Sequence, residues 1–193
     1  MSERGLKAVL VVGLIAPLVW ETLLLFTGNA GADPGKHAVH FLGQTSIWLL
    51  LLTMTATPLR VFLGARWLLR SRRWLGVSSF MYALVHLLAY VVFILGFDFA
   101  FLTEEIAKRP YITAGMASLA LMLPLAITSN NWSVRLLGRR WRLLHKLIFP
   151  AVIAGVIHVW WQARSDIGFA LLLAALFIVL LALRSEMVQR LRT

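Results

Sequence analysis

Six long apolar runs take up most of this chain of 193 residues, and they constrain its fold more than any other feature. A helix needs about 20 apolar residues to cross a bilayer, at a rise of about 1.5 Å per residue. The runs cover 6–26, 43–59, 75–97, 111–127, 143–161 and 168–183. The sequence therefore predicts an all-α integral membrane protein, a bundle of six transmembrane helices that forms a single domain over 1–193.

The composition agrees with a membrane protein and excludes several other classes. Charged residues make up 14% of the chain, whereas soluble proteins carry about 25%. Of the 19 Lys and Arg residues, all but Lys7 and Lys146 lie outside the apolar runs, which argues against a nucleic-acid partner and against a second, soluble domain. The chain has no cysteine, which excludes disulfides, iron–sulfur clusters, thiolate metal sites and c-type haem attachment. Any redox chemistry therefore needs a bound cofactor.

The charges between the runs predict the orientation in the membrane. The connections after the second and fourth runs are strongly basic, as are both ends of the chain, whereas the other three connections are close to neutral. Basic segments face the cytoplasm. We therefore expect both termini to be cytoplasmic and the neutral connections to face the periplasm, in a bacterial inner membrane. The basic residues are Arg4, Lys7, Arg60, Arg66, Arg70, Arg72, Arg73, Arg135, Arg139, Arg140, Arg142, Lys146, Arg184, Arg190 and Arg192, and the neutral connections hold Asp33 with Lys36, Asp98, Glu104 and Glu105 with Lys108 and Arg109, and Arg164 with Asp166.

Three histidines lie inside apolar runs, where an ionisable side chain indicates a functional site. His86 is in the third run, and His145 and His158 are in the fifth. Counted from the cytoplasmic ends, His86 lies roughly 16 Å deep and His158 roughly 22 Å deep, so the two levels differ by about 6 Å. One cofactor between the third and fifth helices could therefore be bound from both sides. His145, roughly 3 Å deep on the same scale, belongs at the cytoplasmic face.

Neutral imidazoles on facing apolar helices suit haem b, because its iron takes axial histidine ligands within a helical bundle. The alternative is a histidine that only hydrogen-bonds to a neighbouring helix. A zinc or di-iron site is less suitable, since Glu21 is the only carboxylate well inside a run. We expect local structural roles for Glu21 and Asp33, and we expect His37 and His40 to lie in or at the edge of the first outer connection.

His145 and His158 are separated by about 3.6 helical turns, which puts their side chains roughly 140° apart around an ideal helix. They cannot share one narrow face, but they could serve separate haems, especially if Pro150 changes the phase of the helix. Pro17, Pro124 and Pro150 lie inside runs and are predicted to kink their helices. The sequence shows no internal repeat.

A series of short motifs resembles the MsrQ (YedZ) family, within the ferric-reductase-like transmembrane superfamily that also includes ferric reductases and NADPH oxidases. The spacing of His145 and His158 on one helix, facing a histidine on the third, is similar to that superfamily. The motifs run over nearly the whole chain, and it is their order and spacing that make the match specific. They are GADPGK at 31–36, HFLG at 40–43, RRWLG at 72–76, HLLAY at 86–90, RPYITAG at 109–115 and LGRRWRLLHKLIF at 137–149.

The resemblance implies a haem b protein that takes electrons from the quinone pool or a cytosolic flavin reductase. It would deliver them to MsrP, a periplasmic molybdenum enzyme that repairs oxidised methionine, with the outer segments 33–40 and 98–109 docking the partner. By the family pattern, His86, His145 and His158 are the candidate ligands of one haem or of two. The superfamily typically has two histidines on the third helix, whereas this chain has only His86. The resemblance also implies FMN, although no motif locates it.

Two alternatives stay open. Within the redox class, the chain could be a stand-alone ferric reductase or a cytochrome b561-like electron carrier. In another class, it could be a small membrane transporter or scaffold whose histidines relay protons, which would call for a polar substrate site or broken helices in paired repeats. The sequence shows no nucleophile and base pair and no dinucleotide-binding fingerprint, so we expect no substrate catalysis in this chain itself.

Overall fold

The computed structural model describes residues 3–64, 67–98, 104–106, 108–163 and 167–190, and all regular structure in them is helical. Four residues of the predicted charge pattern, Arg66, Arg164, Asp166 and Arg192, lie outside this part of the chain. The helices are α1 (Glu3–Phe26), α2 (Pro34–Leu63), α3 (Trp67–Ala89) with a π-helical continuation (Tyr90–Leu95), α4 (Pro110–Ile127), α5 (Asn131–Leu137), α6 (Arg139–Leu144), a 3₁₀ turn (His145–Leu147), α7 (Ile148–Gln162) and α8 (Gly168–Arg190).

Six stretches of the described chain are long and apolar enough to cross a membrane. The predicted architecture of six transmembrane helices is therefore confirmed, and the fifth span is composite, since it contains α6, the 3₁₀ turn and α7. The spans are Lys7–Phe26, Pro34–Phe62, Ser71–Leu95, Pro110–Ile127, Arg139–Gln162 and Gly168–Ser185.

The second helix begins earlier than the apolar run does. The side chain of Asp33 accepts a hydrogen bond from the backbone amide of Lys36 (3.0 Å), and Pro34 occupies the first turn. Both features favour a helix start at this point. His37 and His40 therefore lie in the first two turns of α2, at the edge of the first outer connection. His37 also contacts α1, because its Nδ1 lies 2.9 Å from Oε1 of the buried Glu21.

The core of the bundle lies between two helical hairpins, α2 with α3 and α4 with α7, and α8 packs against them. Buried serines join the helices of each hairpin. Ser46 and Ser79 exchange hydrogen bonds from each hydroxyl to the other residue's carbonyl (2.9 and 2.8 Å), and Ser118 donates to the carbonyl of Ala151 (2.8 Å). Small polar residues of this kind let transmembrane helices approach closely.

Helix α1 is joined to α3 by the hydroxyl of Tyr82. This hydroxyl donates to the carbonyl of Leu14 (2.7 Å) and accepts from the amide of Leu18 (3.1 Å). In a regular helix that carbonyl and that amide would bond to each other. The hydroxyl of Tyr82 is thus inserted into the backbone of α1, beside Pro17, where the sequence predicts a kink. Pro17 also lacks the amide that would bond to the carbonyl of Gly13.

Candidate functional site

The structure brings together the two histidines that depth counting places at similar levels. His86 is on α3 and His158 is on α7. Their ring centroids lie 6.1 Å apart, and the ring planes are close to perpendicular at 82°. Both side chains are half-buried, at the contact between the two hairpins.

Each of these rings is oriented by a backbone carbonyl of the partner helix in its hairpin. Nδ1 of His86 donates to the carbonyl of Val39 (2.7 Å), and Nδ1 of His158 donates to the carbonyl of Tyr111 (2.7 Å). A carbonyl oxygen can only accept, so each neutral imidazole carries its proton on Nδ1. The lone pair is then on Nε2, which is the arrangement of a metal-ligating histidine with its second nitrogen held by an acceptor.

The number of ligands and their spacing fit haem iron. Among the described residues, no group of three or more His, Cys, Asp or Glu side chains is arranged to hold a metal ion. Two histidines are too few for a zinc site, but haem iron is held equatorially by its own macrocycle and needs only axial ligands. Two imidazoles whose Nε2 atoms point to one metal, with bonds of about 2 Å on each side, have ring centroids about 6 Å apart. The observed separation of 6.1 Å is close to that spacing.

His145 stands apart from this pair and has a different environment. It lies on the 3₁₀ turn before α7, and its ring stacks on Trp141 with centroids 3.9 Å apart. Its Nε2 lies 3.1 Å from the hydroxyl of Thr128, which itself donates to the carbonyl of Pro124 (2.6 Å). Because that hydroxyl has only one proton to donate, Nε2 of His145 must be the donor to it. His145 thus has its lone pair on Nδ1, the opposite tautomer from His86 and His158.

A cavity of about 300 Å³ opens beside His145. Cationic and aromatic groups line it, including Arg72, Arg73 and Trp141, and apolar side chains such as Met122 complete the wall. The sequence does not show that the two arginines lie at the same cavity as His145, because the contact joins helices that are distant in sequence. A concave site with cationic groups and a flat aromatic wall suits a planar ligand that carries negative charge.

Comparison with known proteins identifies the family. Residues 42–156 match the family model described as the ferric reductase like transmembrane component. A relative from Brucella ovis, named protein-methionine-sulfoxide reductase heme-binding subunit MsrQ, is 44% identical over 170 residues, which are 86% of this chain and 77% of the relative. A relative of the same name from Brucella anthropi is 46% identical over 154 residues, 80% of this chain and 69% of the relative. The chain therefore belongs to the MsrQ family of ferric-reductase-like transmembrane proteins.

Proposed function

We propose that this chain is the haem b electron-transfer subunit of a periplasmic methionine sulfoxide reductase system. It takes electrons from the quinone pool or a cytosolic flavin reductase and delivers them to MsrP, a periplasmic molybdenum enzyme that repairs oxidised proteins. The observation that carries the proposal is the pair of imidazoles of His86 and His158, 6.1 Å apart, each with Nδ1 bound to a carbonyl. The names of the relatives as heme-binding MsrQ subunits support it.

In this proposal, His86 and His158 would hold one haem b, each through Nε2. When bound, the haem supplies a one-electron couple whose potential depends on the axial ligands and on their hydrogen bonds. The chain's own part is to hold the two rings, because the carbonyls of Val39 and Tyr111 fix their tautomers and their directions. No substrate is transformed by side chains of this subunit.

The proposed orientation follows from the charges. With the basic connections inside, the end of the bundle that holds His145 faces the cytoplasm, and the pair of His86 and His158 lies nearer the periplasmic side. Both termini are then cytoplasmic. In this orientation the pair lies between a donor at the inner face and an acceptor at the outer face.

The cavity beside His145 is the proposed entry site for electrons. The positive charge and flat walls of this cavity suit FMN, or a second haem with His145 as one ligand. Arg72 and Arg73 supply the charge, and Trp141 supplies an aromatic face next to the imidazole. A second haem would need another axial ligand, and the third helix offers no imidazole besides His86. We therefore propose one haem between His86 and His158 and FMN in this cavity, with a second haem as the alternative that the number of haems per chain tests.

The proposed docking surface for MsrP lies in the outer segments 33–40 and 98–109. The described part of the second segment is held by an ion pair between Arg109 Nε and Glu105 (2.9 Å) and by the pair of Lys108 with Glu104. Arg109 also donates to the hydroxyl of Tyr111 (3.0 Å), and the carbonyl of Tyr111 holds His158. The docking segment is thus in contact with the residue that orients one ligand.

The first experiment is the reduced minus oxidised visible spectrum of the detergent-purified protein, with haem quantified per chain. We expect sharp α and β bands of low-spin haem b in the wild type and their loss in His86→Ala and in His158→Ala. His145→Ala keeps the bands of this haem, and His37→Gln is the matched control for a histidine that contacts Glu21 instead. Full haem content and an unchanged spectrum in His86→Ala would refute the ligand assignment.

The second experiment tests the partner. The reduced protein is mixed with purified MsrP from the same organism and with methionine sulfoxide, and reoxidation of the haem is followed. We expect the haem to be reoxidised only when MsrP and methionine sulfoxide are both present. If reduced protein instead transfers electrons to ferric chelates and not to MsrP, the chain acts as a stand-alone ferric reductase, which its family model also accommodates.

A further inference from the structure

The two hairpins repeat the same set of contacts. In each one, a histidine donates through Nδ1 to a carbonyl 47 residues earlier, at 2.7 Å. In each one, a buried serine donates to a carbonyl 33 residues later, Ser46 at 2.9 Å and Ser118 at 2.8 Å. Each residue of these contacts in the second hairpin follows its counterpart in the first by the same number of residues along the sequence. The hairpin of α4 with α7 therefore repeats the hairpin of α2 with α3.

The expectation of no internal repeat was therefore wrong at the level of contacts. The repeated contacts use backbone carbonyls, and a carbonyl is present whatever the side chain. Val39 and Tyr111 are equivalent acceptors although they share no chemistry, as are Ser79 and Ala151. The residues that are identical in the two halves are few and scattered along each helix, which hides the pattern in the sequence.

A glycine occupies the same place in each half of the repeat. Gly43 lies one helical turn after Val39, and Gly115 lies one turn after Tyr111. A Cβ added to Gly43 would lie 3.0 Å from Nδ1 of His86, and a Cβ added to Gly115 would lie 2.7 Å from Nδ1 of His158. The space that a side chain would fill is thus the space through which each ring reaches its carbonyl.

We propose that Gly43 and Gly115 are positioning residues for the two axial ligands. By leaving each carbonyl open to its imidazole, they fix the direction of Nε2 and hold the two ring planes close to perpendicular. This inference rests on the proposed function, in which both imidazoles bind haem iron, and it adds two residues that do not touch the iron. Perpendicular imidazole planes give low-spin ferric haem a highly anisotropic EPR signal, which reports ring orientation directly.

The test compares Gly43→Ala and Gly115→Ala with Gly13→Ala in the detergent-purified full chain. Gly13 lies in α1 and is the matched control, because a Cβ added to it would meet no atom of another helix within 4 Å. The measurements are the EPR signal of the ferric haem, the midpoint potential and the haem affinity. Loss of an outer partner of a metal-bound histidine typically changes metal affinity about 10- to 100-fold.

We expect a graded result. Gly115→Ala, with the closer contact, lowers haem affinity by about tenfold or more, moves the midpoint potential and reduces the anisotropy of the EPR signal. Gly43→Ala keeps its haem and shows a smaller change in the same signal, and Gly13→Ala keeps the wild-type signal. A merely structural role for the glycines would lower the yield and leave the signal of the folded fraction unchanged.

Wild-type EPR signals in folded Gly43→Ala and Gly115→Ala would overturn the proposal while leaving the haem assignment in place. If Gly115→Ala does not accumulate, Gly43→Ala alone decides, and an unchanged signal in it overturns the proposal. Wild-type protein that purifies without haem under haem-sufficient conditions would overturn the proposed function and this inference together.

Discussion

The hydroxyl of Tyr82 is inserted into the backbone of α1, and Tyr82→Phe tests how much this insertion stabilises the bundle. Tyr82 is 6% exposed, and the substitution keeps its aromatic ring and removes only the hydroxyl. Two hydrogen bonds are lost, one to the carbonyl of Leu14 (2.7 Å) and one from the amide of Leu18 (3.1 Å).

The size of the effect follows from those two bonds. Hydrogen bonds between helices in a membrane average about 0.6 kcal/mol, so two of them contribute about 1.2 kcal/mol. A buried polar group left without a partner costs about 1 to 3 kcal/mol. The carbonyl of Leu14 and the amide of Leu18 can bond to each other once the hydroxyl is gone, which keeps the cost towards the lower figure. We therefore expect the free energy of unfolding to fall by about 1 to 2 kcal/mol.

The assay is a denaturant titration of the detergent-solubilised protein, followed by circular dichroism. Tyr111→Phe is the matched control, because it also removes a tyrosine hydroxyl. That hydroxyl accepts one partly buried hydrogen bond, from the side chain of Arg109 (3.0 Å), and not from a helix backbone. The visible spectrum of bound haem should be the same in both variants. A loss of stability in Tyr82→Phe no larger than that in Tyr111→Phe would refute the reasoning.

Two further predictions concern hydrogen bonds between helices. Thr128→Val removes the acceptor of Nε2 of His145, so nitrogen-15 NMR of histidine-labelled protein should show His145 leaving its single tautomer, whereas Thr128→Ser should keep it. Ser118→Ala removes the bond from α4 to the carbonyl of Ala151 and should cost about 0.6 to 1.5 kcal/mol in the same denaturant titration, with haem content unchanged. Loss of haem together with full stability in Ser118→Ala would contradict the prediction that Ser118 contributes to stability and not to haem binding.

The membrane spans and the level of the two paired histidines could be predicted from the sequence, for a simple reason. The thickness of the bilayer sets the length of an apolar run, and counting along helices that start at the same face places His86 and His158 at nearby depths. The start of α2 could not be predicted in this way, since residues 34–42 include Lys36, His37 and His40. That segment is helical because of its Asp33 cap and its contact with Glu21.

The environment of His145 depends on a local change in helix geometry. A continuous helix over 143–161 would separate His145 and His158 by roughly 140°. In the structure the chain forms a 3₁₀ turn over His145–Leu147 before α7 begins. Pro150 has no amide to bond to the carbonyl of Lys146, and a tightened turn is a common response at such a point. The sequence indicates Pro150 as a place where the phase changes, but it does not show that His145 would stack on Trp141.

The two ends of the bundle hold their histidines by different means, and this difference predicts where the protein tolerates substitution. At the pair of His86 and His158 the acceptors are carbonyls, so changes of the side chains at Val39 or Tyr111 leave the hydrogen bonds in place, whereas Gly43 and Gly115 are restricted by contact with the rings. At His145 the acceptor is the Thr128 hydroxyl, which a single substitution removes. The geometry of the pair is therefore protected by the backbone, while the orientation of His145 depends on a side chain that a substitution can change.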